Sequence, residues 1–118
     1  YKYEYTTSIP IKIKTKKSEY GSSGGLMMAL SVYNYINDTD ITHGLNIVGT
    51  GTIDSDGNVG KIDGIKYKLL GSKNADVFFV PSDNYKEAVK VNKNKKLGLK
   101  IVKVDTLGDA IKYLENLK

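Results

Sequence analysis

Apolar and polar positions alternate over residues 1–5 and again over 9–14, predicting two strands that each bury one face. Pro10 puts the second at a sheet edge or a strand start, because proline has no N–H for a ladder. From residue 22 to about 37 the period changes. Leu26, Met27, Ala29, Leu30, Val32, Tyr33 and Ile36 cover most of a helical circumference, predicting a central, buried helix. A polar loop follows to Gly44. Residues 45–53 predict a strand with small residues, Gly49-Thr50-Gly51-Thr52, in its middle. Asp56-Gly57 predicts a hairpin turn, with 59–62 returning antiparallel. Gly64 leads a second helix to about residue 74, apolar at Ile65, Leu69 and Leu70. Val77-Phe78-Phe79-Val80 is continuously apolar and stopped by Pro81, the pattern of a strand buried on both faces. Ser82 or Asp83 is expected to cap a third helix that reaches about residue 92. Residues 100–104 predict a further strand. Thr106 then caps a closing helix, with Leu107, Ala110, Ile111, Leu114 and Leu117 at helical spacing. Strand and helix alternate in the second half, so the expected fold is mixed α/β: a sheet with parallel members and about four helices.

A chain of 118 residues suggests one domain around one core. No apolar run approaches the roughly 20 residues of a membrane-spanning helix. Residues 1–15 alternate instead of forming the charged start and apolar block of a signal peptide. The chain does not begin with methionine, and is expected to be a domain excised from a longer protein. Without cysteine it has neither disulfides nor thiolate metal ligands. The net charge of +5 rests on lysine alone, for there is no arginine. Arginine's planar fork is what reads phosphate and guanine in pairs, so scattered lysines predict a solvated surface rather than a nucleic-acid site.

The chemistry concentrates at Gly21-Ser22-Ser23-Gly24-Gly25, which opens the first long helix. Glycines permit a sharp turn there, and backbone N–H groups at a helix start can hold a developing oxyanion. The bland alternative is a loop serine that caps the helix. The segment also fits the G-x-S-x-G elbow of a larger hydrolase fold, but that fold needs a bigger sheet and a late histidine. The single histidine, His43, sits in a turn just before Gly44. No Gly-Lys-Ser/Thr follows the glycines, which excludes a phosphate loop. Lysine remains as a candidate base. A free lysine holds its proton to about pH 10.4, so a basic lysine needs apolar surroundings that disfavour its ammonium. Lys66 has Ile65 beside it and Leu69 and Leu70 at i+3 and i+4. Lys68 is set about 200° round the helix from it, toward the polar side. Periodicity by itself leaves Lys66 open as one more surface lysine.

Taken together, these segments resemble the catalytic domain of Lon-type proteases, a serine-lysine peptidase family. The family's G-P-S-A-G-L reads here Gly21-Ser22-Ser23-Gly24-Gly25-Leu26. Its second motif reads Thr50-Gly51-Thr52-Ile53, Gly57-Asn58-Val59 and Ile62-Asp63-Gly64-Ile65-Lys66-Tyr67-Lys68. Val77–Pro81, Asn84 and the closing helix also resemble the family, over roughly residues 20–117. The resemblance implies a Lon protease catalytic fold, ribosomal-S5-domain-2-like, with all of residues 1–118 as the proteolytic domain. It implies a serine endopeptidase working through an acyl-enzyme, with Ser23 as nucleophile, Lys66 as base and Thr50 orienting the amine. Backbone N–H groups of Tyr20 and Ser23 would form the oxyanion site. No metal or cofactor is expected. The implied partners are protein or peptide substrates, further copies in a ring in the full-length protein and, for the PDZ-Lon branch that residues 49–60 most resemble, a PDZ domain in the same chain. That branch is bacterial, membrane-anchored and outward-facing; the alternative location is cytoplasmic. Three positions depart from the pattern: Ser22 replaces a proline, Gly24 an alanine, and Asp63 a common glycine. Two other readings stand beside this one: a Lon-like binding or assembly module without activity, and a lysine-rich nucleic-acid-binding domain.

Overall fold

The computed structural model describes residues 23–38 and 40–117. In chain order its elements are α1 (Gly25–Ile36), β1 (Ile47–Gly49), β2 (Thr52–Ile53), β3 (Val59–Gly60), α2 (Ile65–Leu70), β4 (Val77–Pro81), a short 3-10 helix (Ser82–Asn84), α3 (Tyr85–Asn94), β5 (Ile101–Val104) and α4 (Leu107–Glu115). The strands expected over residues 1–5 and 9–14 lie outside the described residues, as do Tyr20 and Ser22.

The continuous apolar run is the centre of the fold. Every residue of β4 is buried, and β4 runs parallel to both β1 and β5. Because successive side chains in a strand point to opposite faces, the run serves two cores at once. Val77 and Phe79 face α1 and α4, where they pack with Leu26, Leu30, Val104, Ala110 and Leu114. Phe78 and Val80 face α2 and α3, among Ile62, Ile65, Leu69, Ala88 and Leu99. Phe79 also meets Tyr113 edge-on, with centroids 5.8 Å apart. The sheet is therefore covered on both sides, as a parallel sheet requires. This is the mixed α/β architecture expected, with four α-helices among the described residues.

Several local expectations change. The strand expected over 45–53 is broken in two. Thr50 still donates its N–H to Phe79 O at 3.0 Å, but Gly51 takes φ +152° and turns the chain out of the sheet into the β2–β3 hairpin. The first helix is less buried than its apolar circumference suggests. It lies on one face of the sheet through Leu26 and Leu30, while Tyr35 and Ile36 are exposed. The second helix stops at Leu70, where the Ser72 hydroxyl donates to the Lys68 carbonyl at 2.8 Å and Gly71 ends the turn. Ser82 and Asp83 form the 3-10 helix instead of capping α3. Thr106 does cap α4: its Oγ1 accepts the Asp109 N–H at 3.1 Å, and Asp109 Oδ2 accepts the Thr106 N–H at 3.1 Å.

Candidate active site

Ser23 stands just ahead of α1, which begins at Gly25 after Gly24. Its position is set by the segment that leaves the sheet. The Ser23 carbonyl accepts the Gly51 N–H at 2.9 Å and the Thr50 hydroxyl at 3.2 Å, and Leu26 N–H donates to Gly51 O at 3.0 Å. The chain before the helix and the helix's first turn are thus both tied to Thr50-Gly51. Thr50 is buried, at 2% exposure. A side chain at Gly51 would come within 2.7 Å of Val59 Cγ1, so the close approach requires glycine as much as the positive φ does. The Ser23 hydroxyl makes no hydrogen bond to a described residue.

The lysines are arranged differently from the sequence expectation. Gly64, at φ +74°, starts α2, and Ile65 and Leu69 are both fully buried against the sheet. Lys66 and Lys68 each lie about 80° to one side of that buried line. The neighbours on the two sides differ. On one side Lys66 is exposed, with its ammonium 6.0 Å from the centroid of the exposed Tyr67 ring. On the other, Lys68 is half-buried and, like Ser23, borders two open clefts. One cleft, of about 370 Å³, is bordered by Ser23, Thr52, Lys61, Ile62, Asp63 and Lys68. The other, of about 280 Å³, includes Ser23, Gly24, Thr50, Lys68 and Ser72. Lys66 borders neither. The expectation that Lys66 packs among hydrophobes is therefore not met: it is exposed, and Lys68 is the less exposed of the two.

Thr50, expected to orient the lysine amine, gives its hydroxyl hydrogen to Ser23 O. Its oxygen can still accept, and it shares the second cleft with Lys68. His43 is committed elsewhere: its Nε2 lies 2.7 Å from Leu114 O, near the end of α4.

Residues 11–116 match the family model for the Lon protease C-terminal proteolytic domain, which takes in every described helix and strand. The chain belongs to the Lon protease family. Relatives include the Lon protease of Campylobacter concisus, 34% identical over 95 residues, and that of Azospirillum brasilense, 33% identical over 95 residues. The Lon protease of Campylobacter jejuni is 28% identical over 96 residues. These matches cover 78–79% of this chain and 12% of each relative, so the chain spans a small part of the Lon proteases it resembles.

Within this Lon-family fold, sequence reasoning passed over the job of Asn84. A polar residue at a helix start reads as a cap, yet the carboxamide turns inward and is almost wholly buried. It holds the backbone of Ile62, which borders the cleft beside Ser23. Nothing in its spacing signals that inward turn.

Proposed function

We propose that this chain is a serine endopeptidase domain in which Ser23 attacks the scissile carbonyl and Lys68, not Lys66, serves as the base. The observation that carries this reading is the half-buried Lys68 bordering both clefts that Ser23 borders, with Lys66 exposed and outside them. The second Lon-like motif holds both lysines two residues apart, so it accommodates either assignment. The Lys68 amine takes the proton from Ser23 Oγ as the oxygen bonds to the carbonyl carbon. Backbone N–H groups at the start of α1, aided by the positive end of that 12-residue helix, stabilise the oxyanion. The lysine ammonium then protonates the departing amine. Water then attacks the acyl carbon and gives a proton to the Lys68 amine, which returns it to Ser23 Oγ as the acyl–oxygen bond breaks. Thr50 supports the arrangement by fixing the Ser23 carbonyl. The Tyr20 N–H is a further oxyanion donor in this reading.

Unfolded or damaged proteins, the family's usual targets, are the proposed substrate class by resemblance. Assembly into a ring, and a PDZ domain in the same protein, belong to the same proposal by family resemblance. Casein hydrolysis tests the activity. Turnover in the chain and none in Ser23→Ala is the expected result. A chain that never hydrolyses casein and never forms an acyl-enzyme at Ser23 supports instead the module that kept the fold and lost the chemistry.

A further inference from the structure

One buried side chain performs the task of a neighbouring strand. Asn84 is 1% exposed. Its Oδ1 accepts the Ile62 N–H at 3.0 Å, and its Nδ2 donates to the Ile62 carbonyl at 3.0 Å. Both backbone polar groups of Ile62 are therefore satisfied by one carboxamide. Ile62 itself is buried, packed in the core cluster of Ile65, Leu69, Phe78 and Val80. On either side of it Lys61 and Asp63 are exposed, and all three border the cleft that contains Ser23 and Lys68.

We propose that Asn84 is a positioning residue for substrate binding: it fixes the Lys61–Asp63 segment as a preformed wall of the cleft. The inference rests on reading Ser23 and Lys68 as the reacting pair. Removing the carboxamide leaves the Ile62 N–H and C=O without partners in a dry place, so the segment must shift to find water. The nucleophile has separate support, through the bonds of Ser23 and Leu26 to Thr50-Gly51. Lys68 is held by the packing of Ile65 and Leu69 on its helix. Loss of the clamp therefore moves the wall, and a substrate chain must spend part of its binding energy on ordering that wall.

The molecule supplies its own control. Asn92 clamps Leu99 in the same two-point way, Oδ1 accepting the Leu99 N–H at 3.0 Å and Nδ2 donating to the Leu99 carbonyl at 2.9 Å. Neither residue borders the clefts at Ser23. Affinity for fluorescein-labelled casein is measured on the Ser23→Ala background, where no chemistry occurs, at temperatures where each variant is folded by its thermal melt. Asn84→Ala is expected to bind about tenfold more weakly, with Asn92→Ala within about twofold of the background. If Asn84→Ala does not fold, Asn84→Asp decides: it fills the same space, keeps the acceptor for the Ile62 N–H and lacks the donor, and is expected to lose affinity severalfold. Unchanged affinity in a folded Asn84 variant overturns the proposal, as does an equal loss in Asn92→Ala or a background chain that does not bind casein. Failure of the dyad is a separate result, read as absence of covalent labelling at Ser23 in the unmutated chain.

Discussion

The carbonyl oxygen of Ser23 accepts the backbone N–H of Gly51 at 2.9 Å, and this bond joins the two segments that carry the family's motifs. It explains why the chain leaves the sheet after Thr50. A strand continuing straight on from β1 would turn those groups into ladder positions and away from the start of α1.

Gly51→Ala is expected to damage both fold and site. The residue sits at φ +152°, and its new Cβ would lie 2.7 Å from Val59 Cγ1. The expected cost is about 1–3 kcal/mol of stability, with slower labelling of Ser23 by a fluorophosphonate. Chemical denaturation and labelling kinetics on one preparation check both effects.

Thr50 is buried, and its hydroxyl donates to Ser23 O at 3.2 Å. Thr50→Val keeps the shape and removes the donor, leaving Ser23 O with only its Gly51 bond. A loss of about 1 kcal/mol is expected, together with a reduced labelling rate. Thr50→Ser, which keeps the hydroxyl, should recover most of that rate. Equal rates in the two variants would remove Thr50 from the supporting role.

Acid should loosen the hairpin turn. Asp54 Oδ1 accepts the Asn58 N–H at 2.8 Å and the Asp56 N–H at 2.9 Å, and Oδ2 accepts Asn58 Nδ2 at 3.1 Å. The Asn58 backbone bond first, and its side-chain bond second, hold this carboxyl below its ordinary 3.8. The folded value lies below the unfolded one. The stabilisation is therefore complete above 3.8 and is lost as pH falls through the lower folded value. Amide exchange at Asn58 should accelerate in that acid window, and Asp54→Asn should remove the dependence. An NMR titration that places the Asp54 midpoint above 3.8 would contradict the assignment.

Much of this arrangement is legible in the residues. Val77–Val80 reads as a two-faced strand because no polar residue interrupts it, and Thr106 reads as a cap because helically spaced apolar residues follow it. The break at Thr50-Gly51 was hidden, since glycine-rich strands and strand exits share a composition. The different surroundings of Lys66 and Lys68 were hidden for a geometric reason. Both flank the buried line through Ile65 and Leu69 at similar angles, so helical periodicity treats them alike. Only the neighbours brought in from α1 and the hairpin distinguish the two sides. Asn84 was obscure for the same reason: the backbone it serves is 22 residues away.

The most direct test of the account is the rate at which a fluorophosphonate labels Ser23 in Lys68→Ala and in Lys66→Ala, with Ser23→Ala as the blank. Lys68→Ala should slow labelling about 100-fold or more, and Lys66→Ala should stay within about twofold of the unmutated chain. Full reactivity in Lys68→Ala, or its loss in Lys66→Ala, would contradict the pairing of Ser23 with Lys68.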